Sequence, residues 1–178
     1  MLPYINPIFF MALKHYVIQS CVFARMLSII LLLILPGISD ANTNAVFALA
    51  FIEQVNEVRS AGCICEGQYM PPVGTVKWHP KLEISATLHA QQMVRYQFLE
   101  HFSYGGMDLG ERVNKVGYPW RTIGENLARG QVCIAEVIED WQESPTHCSI
   151  LMNPKFREIG AAHVGEYWVL HMGVRKEE

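Results

Sequence analysis

Apolar residues recur with helical spacing in two long segments of the chain. From Ala45 to Arg59 they fall at i, i+3, i+4, i+7 and i+10, and the members of this stripe are Ala48, Phe51, Ile52, Val55 and Val58. This period predicts an amphipathic helix, which Asn44 would cap and Gly62 would end. A second helix is predicted from Pro80 to about Tyr96, because proline suits a first helical turn.

Shorter periodic segments follow, each bounded by a capping residue or a proline. Asp108 can cap a short helix that ends at Gly117. Ile134 to Glu143 carries apolar residues on one side and predicts a further helix. Ser144-Pro145 then predicts a fresh helical turn directly afterwards.

Alternation replaces helical spacing near the end of the chain. Trp168, Leu170 and Met172 alternate with Tyr167, Val169 and His171. Alternation predicts strands, so Glu158–His163 and Tyr167–Val174 are expected to form one hairpin of an antiparallel sheet. Val76 to His79 is a short extended piece, and Gly62 to Thr75 is predicted to be an irregular loop.

A continuous apolar run lies near the start of the chain. It extends from Met26 to Leu35, with Arg25 just before it and Pro36-Gly37 breaking it. Ser39-Asp40-Ala41 places small residues at the two key positions of a signal-peptidase site, and this layout is typical of a secretory signal. The run is shorter than the roughly 20 apolar residues of a membrane span. We therefore expect cleavage, with retention as an N-terminal anchor as the alternative.

The signal divides the chain into two parts. Residues 1–41 are expected to be an N-terminal extension and signal peptide, and residues 42–178 one domain. Either Met1 or Met26 fits as the start, since Met26 opens a complete signal. A secreted or periplasmic location follows, without a stable membrane anchor once the signal is removed.

Charge and cysteine content narrow the class of protein. The net charge is −3 and no Lys/Arg cluster occurs, so a nucleic-acid partner is not expected. Four of the five cysteines follow the signal, and an even number in an exported chain predicts two disulfides. A metal site at Cys63-x-Cys65 is the alternative, but zinc sites usually show two paired clusters and Cys133 and Cys148 are solitary.

Three polar residues lie in separate segments that can converge, namely His101, Glu125 and His147. Two imidazoles and a carboxylate can hold a divalent metal such as zinc, with water in the open positions. Equally, Glu125 can hold one imidazole as a general base, or the trio can be a polar network that pins three loops. Neither a Gly-x-Ser-x-Gly nor a His-Glu-x-x-His pattern occurs. His89 lies on an apolar helix face and is expected to be a hydrogen-bonded core residue.

Residues from Asn56 to Gly173 carry a series of motifs in a characteristic order. The series is Trp78-His79-Pro80-Lys81-Leu82, His89-Ala90, Met93, Phe98, His101, Arg112-Val113, Gly117-Tyr118, Gly124-Glu125-Asn126-Leu127-Ala128, Trp141, Ser144-Pro145-Thr146-His147-Cys148, Asn153-Pro154-Lys155-Phe156, Ile159-Gly160 and Tyr167-Trp168. In this order and spacing the chain resembles a CAP (SCP-like extracellular) domain of the compact bacterial branch.

The resemblance implies a fold and a site. The fold is α+β, a three-layer α-β-α sandwich with a central antiparallel sheet. The site is a cleft tetrad of two histidines and two acids, in which His101, Glu125 and His147 match three members. The second acid usually follows the tryptophan by three residues, where this chain has Ser144, so Glu143 is the candidate fourth member.

The resemblance also implies a disulfide pairing and a range of functions. Cys65–Cys148 is the implied bridge, which leaves Cys63 and Cys133 as the second expected pair. Functions in this family include lipid or sterol binding, divalent-metal binding, signalling to hosts and disputed protease activity. We expect a secreted binding module with a polar His/Glu cleft, in which His101 and His147 are candidate ligands for zinc or another divalent cation. The partner would be an unidentified protein or lipid. The alternatives are a metal-assisted peptide or ester hydrolase and a lipid or sterol carrier.

Overall fold

The computed structural model describes residues 40–176, so the predicted apolar signal and upstream extension lie outside the described residues. The elements in chain order are α1 (Asp40–Ala61), β1 (Cys63–Cys65), β2 (Gln68–Met70), β3 (Lys77–Trp78), α2 (Pro80–Tyr96), α3 (Leu109–Lys115), β4 (Trp120–Arg129), α4 (Ile134–Glu143), α5 (Pro145–Leu151), β5 (Glu158–Val164) and β6 (Tyr167–Arg175). Within this range no helix combines the length and apolar character needed to cross a membrane.

The central sheet has four strands in the order β3-β5-β6-β4. Strands β5 and β6 form the predicted antiparallel hairpin, and β4 pairs antiparallel with the other side of β6. The short strand β3 lies parallel to β5 at the edge. Helices cover both faces, so the expected α-β-α sandwich is confirmed, with one parallel edge strand added.

The predicted alternation of β6 sorts its side chains between the two helical layers. Trp168, Leu170 and Met172 pack with residues of α1 and α4, including Phe51 and Trp141. Tyr167 and Val169 pack on the opposite face with Ala86, Ala90 and Met93 of α2. Burial of apolar area on both faces supplies the main driving force for the fold.

Helix α2 approaches the sheet unusually closely at Gly160 of β5. A Cβ atom added to Gly160 would overlap the backbone of Leu82 and Glu83 in the first turn of α2. The hydrogen bond from the His79 amide to the Ile159 carbonyl, 2.7 Å long, fixes the chain just before that turn. Only glycine permits this contact between helix and strand.

Helix α1 begins earlier than its apolar stripe predicts. It starts at Asp40 rather than Ala45, so Asn44 lies inside the helix and is not its cap. Its far end is anchored through Arg59, which is fully buried and donates to the carbonyl oxygens of Gly74, Leu151 and Asn153 at 2.6 to 3.2 Å. Burial, followed by the charge of Arg157, lowers the pKa of Arg59 to about 10.

The segment predicted as an irregular loop contains a small hairpin. Strands β1 and β2 pair antiparallel through Cys63 with Met70 and Cys65 with Gln68. Cys65 forms the expected disulfide with Cys148, which ties this hairpin to α5. The second expected bridge, Cys63–Cys133, is wrong, because Cys63 is a free thiol. Cys63 lies instead beside the Cys65–Cys148 bridge, and burial raises the pKa of its thiol.

Candidate functional site

The candidate site is built around Glu125 in the middle of β4. Its backbone pairs directly with His171 of β6, so both side chains project from the sheet face that α2 covers. Glu125 is only 4% exposed. His171 in β6 and His89 in α2 are each 1% exposed. A carboxylate buried this deeply requires compensating charges and hydrogen bonds.

Three side chains supply that compensation at short distances. His101 Nδ1 lies 2.8 Å from Glu125 Oε1. Arg112 Nη2 lies 2.6 Å from Oε2, and His171 Nε2 lies 2.7 Å from the same oxygen. Both carboxylate oxygens are therefore engaged by donors.

These contacts keep Glu125 ionised. Burial alone would raise its pKa, but hydrogen bonds from His101 and His171, together with the charges of His171 and Arg112, outweigh it. They hold the pKa of Glu125 well below its usual range. The ionised carboxylate accepts hydrogen bonds, so the facing nitrogens of His101 and His171 carry protons.

Arg112 connects the carboxylate to the loop that follows α2. Helix α3 positions it, and that helix begins at Asp108 with reciprocal side-chain and backbone bonds to Glu111. Besides Glu125, the guanidinium donates to the carbonyl oxygens of His101 and Met107 at 2.7 and 3.1 Å. The buried Arg112 thus fixes the backbone of His101 itself, the histidine of the cleft.

His101 is the accessible member of the cluster. Its side chain is 60% exposed, although Nδ1 is held by Glu125. The hydrogen bond to Glu125 is the main cause that raises the pKa of His101. In the neutral form a proton on Nδ1 leaves Nε2 unprotonated, so Nε2 is the nitrogen available to a proton donor or a metal ion.

The structure also brings His147 close to His101. It lies in the first turn of α5, and its backbone carbonyl accepts from Asn126 Nδ2 at 3.0 Å. Burial and then the nearby charge of His101 lower the pKa of His147. The segments bearing the two histidines therefore converge beside Glu125.

The predicted tetrad is not arranged as a compact metal-ligand set. Among residues 40–176, the one group of three or more His, Cys, Asp or Glu side chains with ligand atoms within 4.8 Å of one another is Cys63, Cys65 and Cys148. Glu143, the candidate second acid, is the last residue of α4 and is exposed. Metal binding at His101 and His147, and the role of Glu143, remain predictions.

Sequence reasoning did not assign Arg112 and His171 to the site, and it placed His89 in the core. His89 is indeed buried, and its Nε2 lies 3.0 Å from the carbonyl oxygen of Glu100, but the same atom is 3.9 Å from Glu125 Oε2. The alternation of the last strand places His171 on the opposite face from Trp168, so the sequence already indicated on which side of the sheet His171 lies. Finding its partner required the register between β4 and β6.

Exposed aromatic and aliphatic side chains flank His101 along the chain. Tyr96 and Tyr104 stack with ring centroids 3.8 Å apart and remain partly exposed. Leu99 and Phe102 are 44% and 58% exposed on either side of His101. We call these four side chains the rim.

This architecture occurs in solved bacterial proteins. The chain superposes on an extracellular SCP-domain protein of Bacillus anthracis with a TM-score of 0.65 and 17% identity, covering 80% of this chain and 45% of that one. For an outer surface protein of Borrelia burgdorferi the TM-score is 0.61 with 19% identity, over 78% of this chain and 97% of the other. At these identities the likeness concerns the fold alone.

Sequence comparison then defines the family. A model of the cysteine-rich secretory protein family, CAP, matches residues 52–171, and the chain belongs to that family. It is also 32% identical over 89 residues to the uncharacterized protein YkwD of Bacillus subtilis. That match covers 49% of this chain, which spans only 35% of the length of this curated relative.

Proposed function

We propose that this protein is an extracytoplasmic binding module whose ligand contacts His101 and the surrounding rim. The observation that carries the proposal is a difference in exposure between the residues of the site. Glu125, Arg112 and His171 are buried and engaged with one another, whereas His101 is held by the same carboxylate yet remains exposed. The buried charges stabilise the position of one accessible imidazole among exposed apolar side chains, as expected for a recognition surface.

The state of Glu125 argues against a direct proton-transfer role for it. A general base needs a pKa near the operating pH, and the pKa of Glu125 is far below neutrality. Its oxygens are also occupied by donors. Glu125 is therefore a positioning residue for His101.

A divalent cation is the proposed first ligand of the cleft. His101 Nε2 and the His147 imidazole would supply two nitrogen ligands, which suits zinc, and solvent or a bound partner would complete the coordination. Calorimetric titration with zinc tests this. We expect one site per chain in the wild type and a loss of at least tenfold in affinity in His101→Ala and in His147→Ala.

His163→Ala serves as the matched control, because this histidine stacks on Trp168 away from the cleft. Absence of zinc binding to the wild-type protein would remove the metal from the proposal. Equal zinc affinity of the wild type and both cleft variants would show that zinc binds at a site other than His101 and His147.

The extracytoplasmic location is supported by relatives that are described as an extracellular protein and as an outer surface protein. Expression of the full chain as a fusion to alkaline phosphatase, which is active only after export, tests it. Activity should depend on residues 1–41. Activity that persists without those residues would contradict the proposed signal.

The exposed His101, held by the buried Glu125, also supports the hydrolase alternative, because a carboxylate that orients an imidazole can create a general base. In that case a panel of peptide and ester substrates should show zinc-dependent turnover that is abolished in His101→Ala. No turnover across the panel would count against the hydrolase alternative and leave binding as the proposed role.

The exposed rim residues Leu99 and Phe102 support the lipid-carrier alternative. A carrier should extract fluorescent lipid or sterol from liposomes, and Phe102→Ser should reduce this transfer. Failure of the wild-type protein to extract either lipid would exclude this role.

A further inference from the structure

A second cluster of reactive side chains lies on the β1–β2 hairpin and α5, separate from the Glu125 network. Cys63 Sγ lies 3.5 Å from Cys148 Sγ and 3.8 Å from Cys65 Sγ. Cys65 and Cys148 are joined by the disulfide, so three sulfur atoms meet at one point. A single bridge requires two cysteines, and the third thiol adds nothing to the covalent link.

Sulfur dominates the surroundings of these atoms as well. The small apolar cluster that contains them has seven side chains, of which five carry sulfur, namely Cys63, Cys65, Cys148, Met70 and Met152. Cys148 and Met152 are fully buried, and Cys65 is 6% exposed. The other two members are Val58 and Val73, which offer no ligand atoms.

Thiolate and thioether sulfurs without nearby oxygen or nitrogen ligands favour a soft cation. The spacing also fits, because thiolates bound to one metal ion at about 2.3 Å lie roughly 3.8 Å apart. Cys63 already lies at about this separation from both partners. Opening the bridge would bring the remaining pair of sulfurs to the same range.

We propose that Cys63, Cys65 and Cys148 form a Cu(I) site that opens when the Cys65–Cys148 disulfide is reduced. A dithiol supplies the two electrons. One of its thiolates attacks a sulfur of the bridge to give a mixed disulfide and release the other cysteine as a thiolate. The second dithiol thiolate then displaces the remaining cysteine, and the dithiol leaves as a disulfide. Cu(I) then binds the cysteine sulfurs with release of their thiol protons, and its oxidation state does not change.

Cu(I) transfer from a coloured bicinchoninate complex tests the site. The protein is reduced with dithiothreitol, desalted without oxygen and compared with the untreated disulfide form. We expect the reduced wild type to withdraw one Cu(I) per chain while keeping its native circular dichroism. The disulfide form should compete at least 100-fold less well.

Two variants separate a built site from scattered thiols. Cys63→Ser keeps the bridge, and after reduction it should lose at least tenfold in Cu(I) affinity. Met107→Leu alters a methionine outside the sulfur cluster and should bind as the wild type does. The proposal is overturned by equal affinity of reduced Cys63→Ser and wild type, by no Cu(I) uptake, or by uptake only with loss of native circular dichroism.

Discussion

Glu125 and His171 occupy directly paired positions of two antiparallel strands, and His171 Nε2 lies 2.7 Å from Glu125 Oε2. The pair lies on the sheet face beneath α2, where apolar residues occupy the neighbouring positions. A buried charge cluster therefore replaces part of one hydrophobic layer. Removing one partner should be costly, because the others stay buried without compensation.

Glu125→Gln should destabilise the protein by about 3–5 kcal/mol, since Arg112 loses its counter-charge inside the fold and His171 loses its carboxylate hydrogen-bond partner. Urea unfolding followed by circular dichroism measures this. Glu166→Gln is the control, because Glu166 pairs with Arg129 at the surface and should contribute no more than about 1 kcal/mol. A Glu125→Gln protein as stable as the control variant would contradict the role of the cluster.

His89 should make stability depend on pH. Burial is the main cause that lowers its pKa to about 4 in the folded protein, against 6.5 for an unperturbed histidine. Between these values the unfolded chain binds the proton and the folded protein does not, so stability falls as pH decreases from about 6.5 to 4. Above this window the histidine is neutral in both states.

Comparison of His89→Asn with the wild type isolates this contribution. The variant should show a shallower decline in unfolding free energy over the same window, by up to about 1.4 kcal/mol per pH unit. The lowered pKa of His147 acts in the same direction in both proteins, whereas the raised pKa of His101 affects stability only above about pH 6.5, where its contribution is lost as the pH rises. Parallel pH curves for variant and wild type would show that His89 does not titrate as described.

Arg59→Met should destabilise the protein by about 3 kcal/mol or more. The guanidinium satisfies carbonyl oxygens on two distant segments, and a methionine of similar length leaves them buried without donors. Thermal unfolding measures the loss. Arg95→Met removes an exposed arginine from the last turn of α2 and should change stability by less than about 0.5 kcal/mol.

Gly160→Ala should prevent normal packing of α2 on the sheet. The added methyl group meets helix backbone rather than a movable side chain, so the helix must shift. We expect a loss of at least about 3 kcal/mol or failure to fold. Gly74→Ala is the matched control, because the nearest atom to its added Cβ would be Arg157 Nη1 at 4.0 Å. Similar melting temperatures for the two variants would argue against the close contact.

Cys148→Ser should lower the melting temperature under oxidising conditions. The bridge closes a separation of 83 residues, and a disulfide typically contributes about 2–4 kcal/mol. Cys63→Ser should leave the melting temperature nearly unchanged, since its thiol is free. A reversed order of the two variants would mean that the bridge involves Cys63.

Local chemistry was sufficient to predict several elements of the fold. The helix of Pro80–Tyr96 and that of Ile134–Glu143 match their predicted bounds, because capping residues, proline and helical spacing act over a few neighbouring residues. The C-terminal hairpin follows from alternation over a similarly short range. The strand containing Glu125 was not predicted, since its segment mixes glycine, charged and apolar residues and the residue paired with Glu125, His171, lies 46 residues away.

The residues of the site likewise divide into those that the sequence indicated and those that only the tertiary structure identified. His101, Glu125 and His147 stand out in the sequence because polar residues in loop-like segments suggest chemistry. Arg112 and His171 join Glu125 only through packing of α3 and the register of β4 with β6. The sequence likewise showed four cysteines after the signal, but it could not identify Cys63 as the free thiol. Side-chain type and local periodicity are properties of the chain itself, whereas partners far apart in sequence are selected by the packing that brings them together.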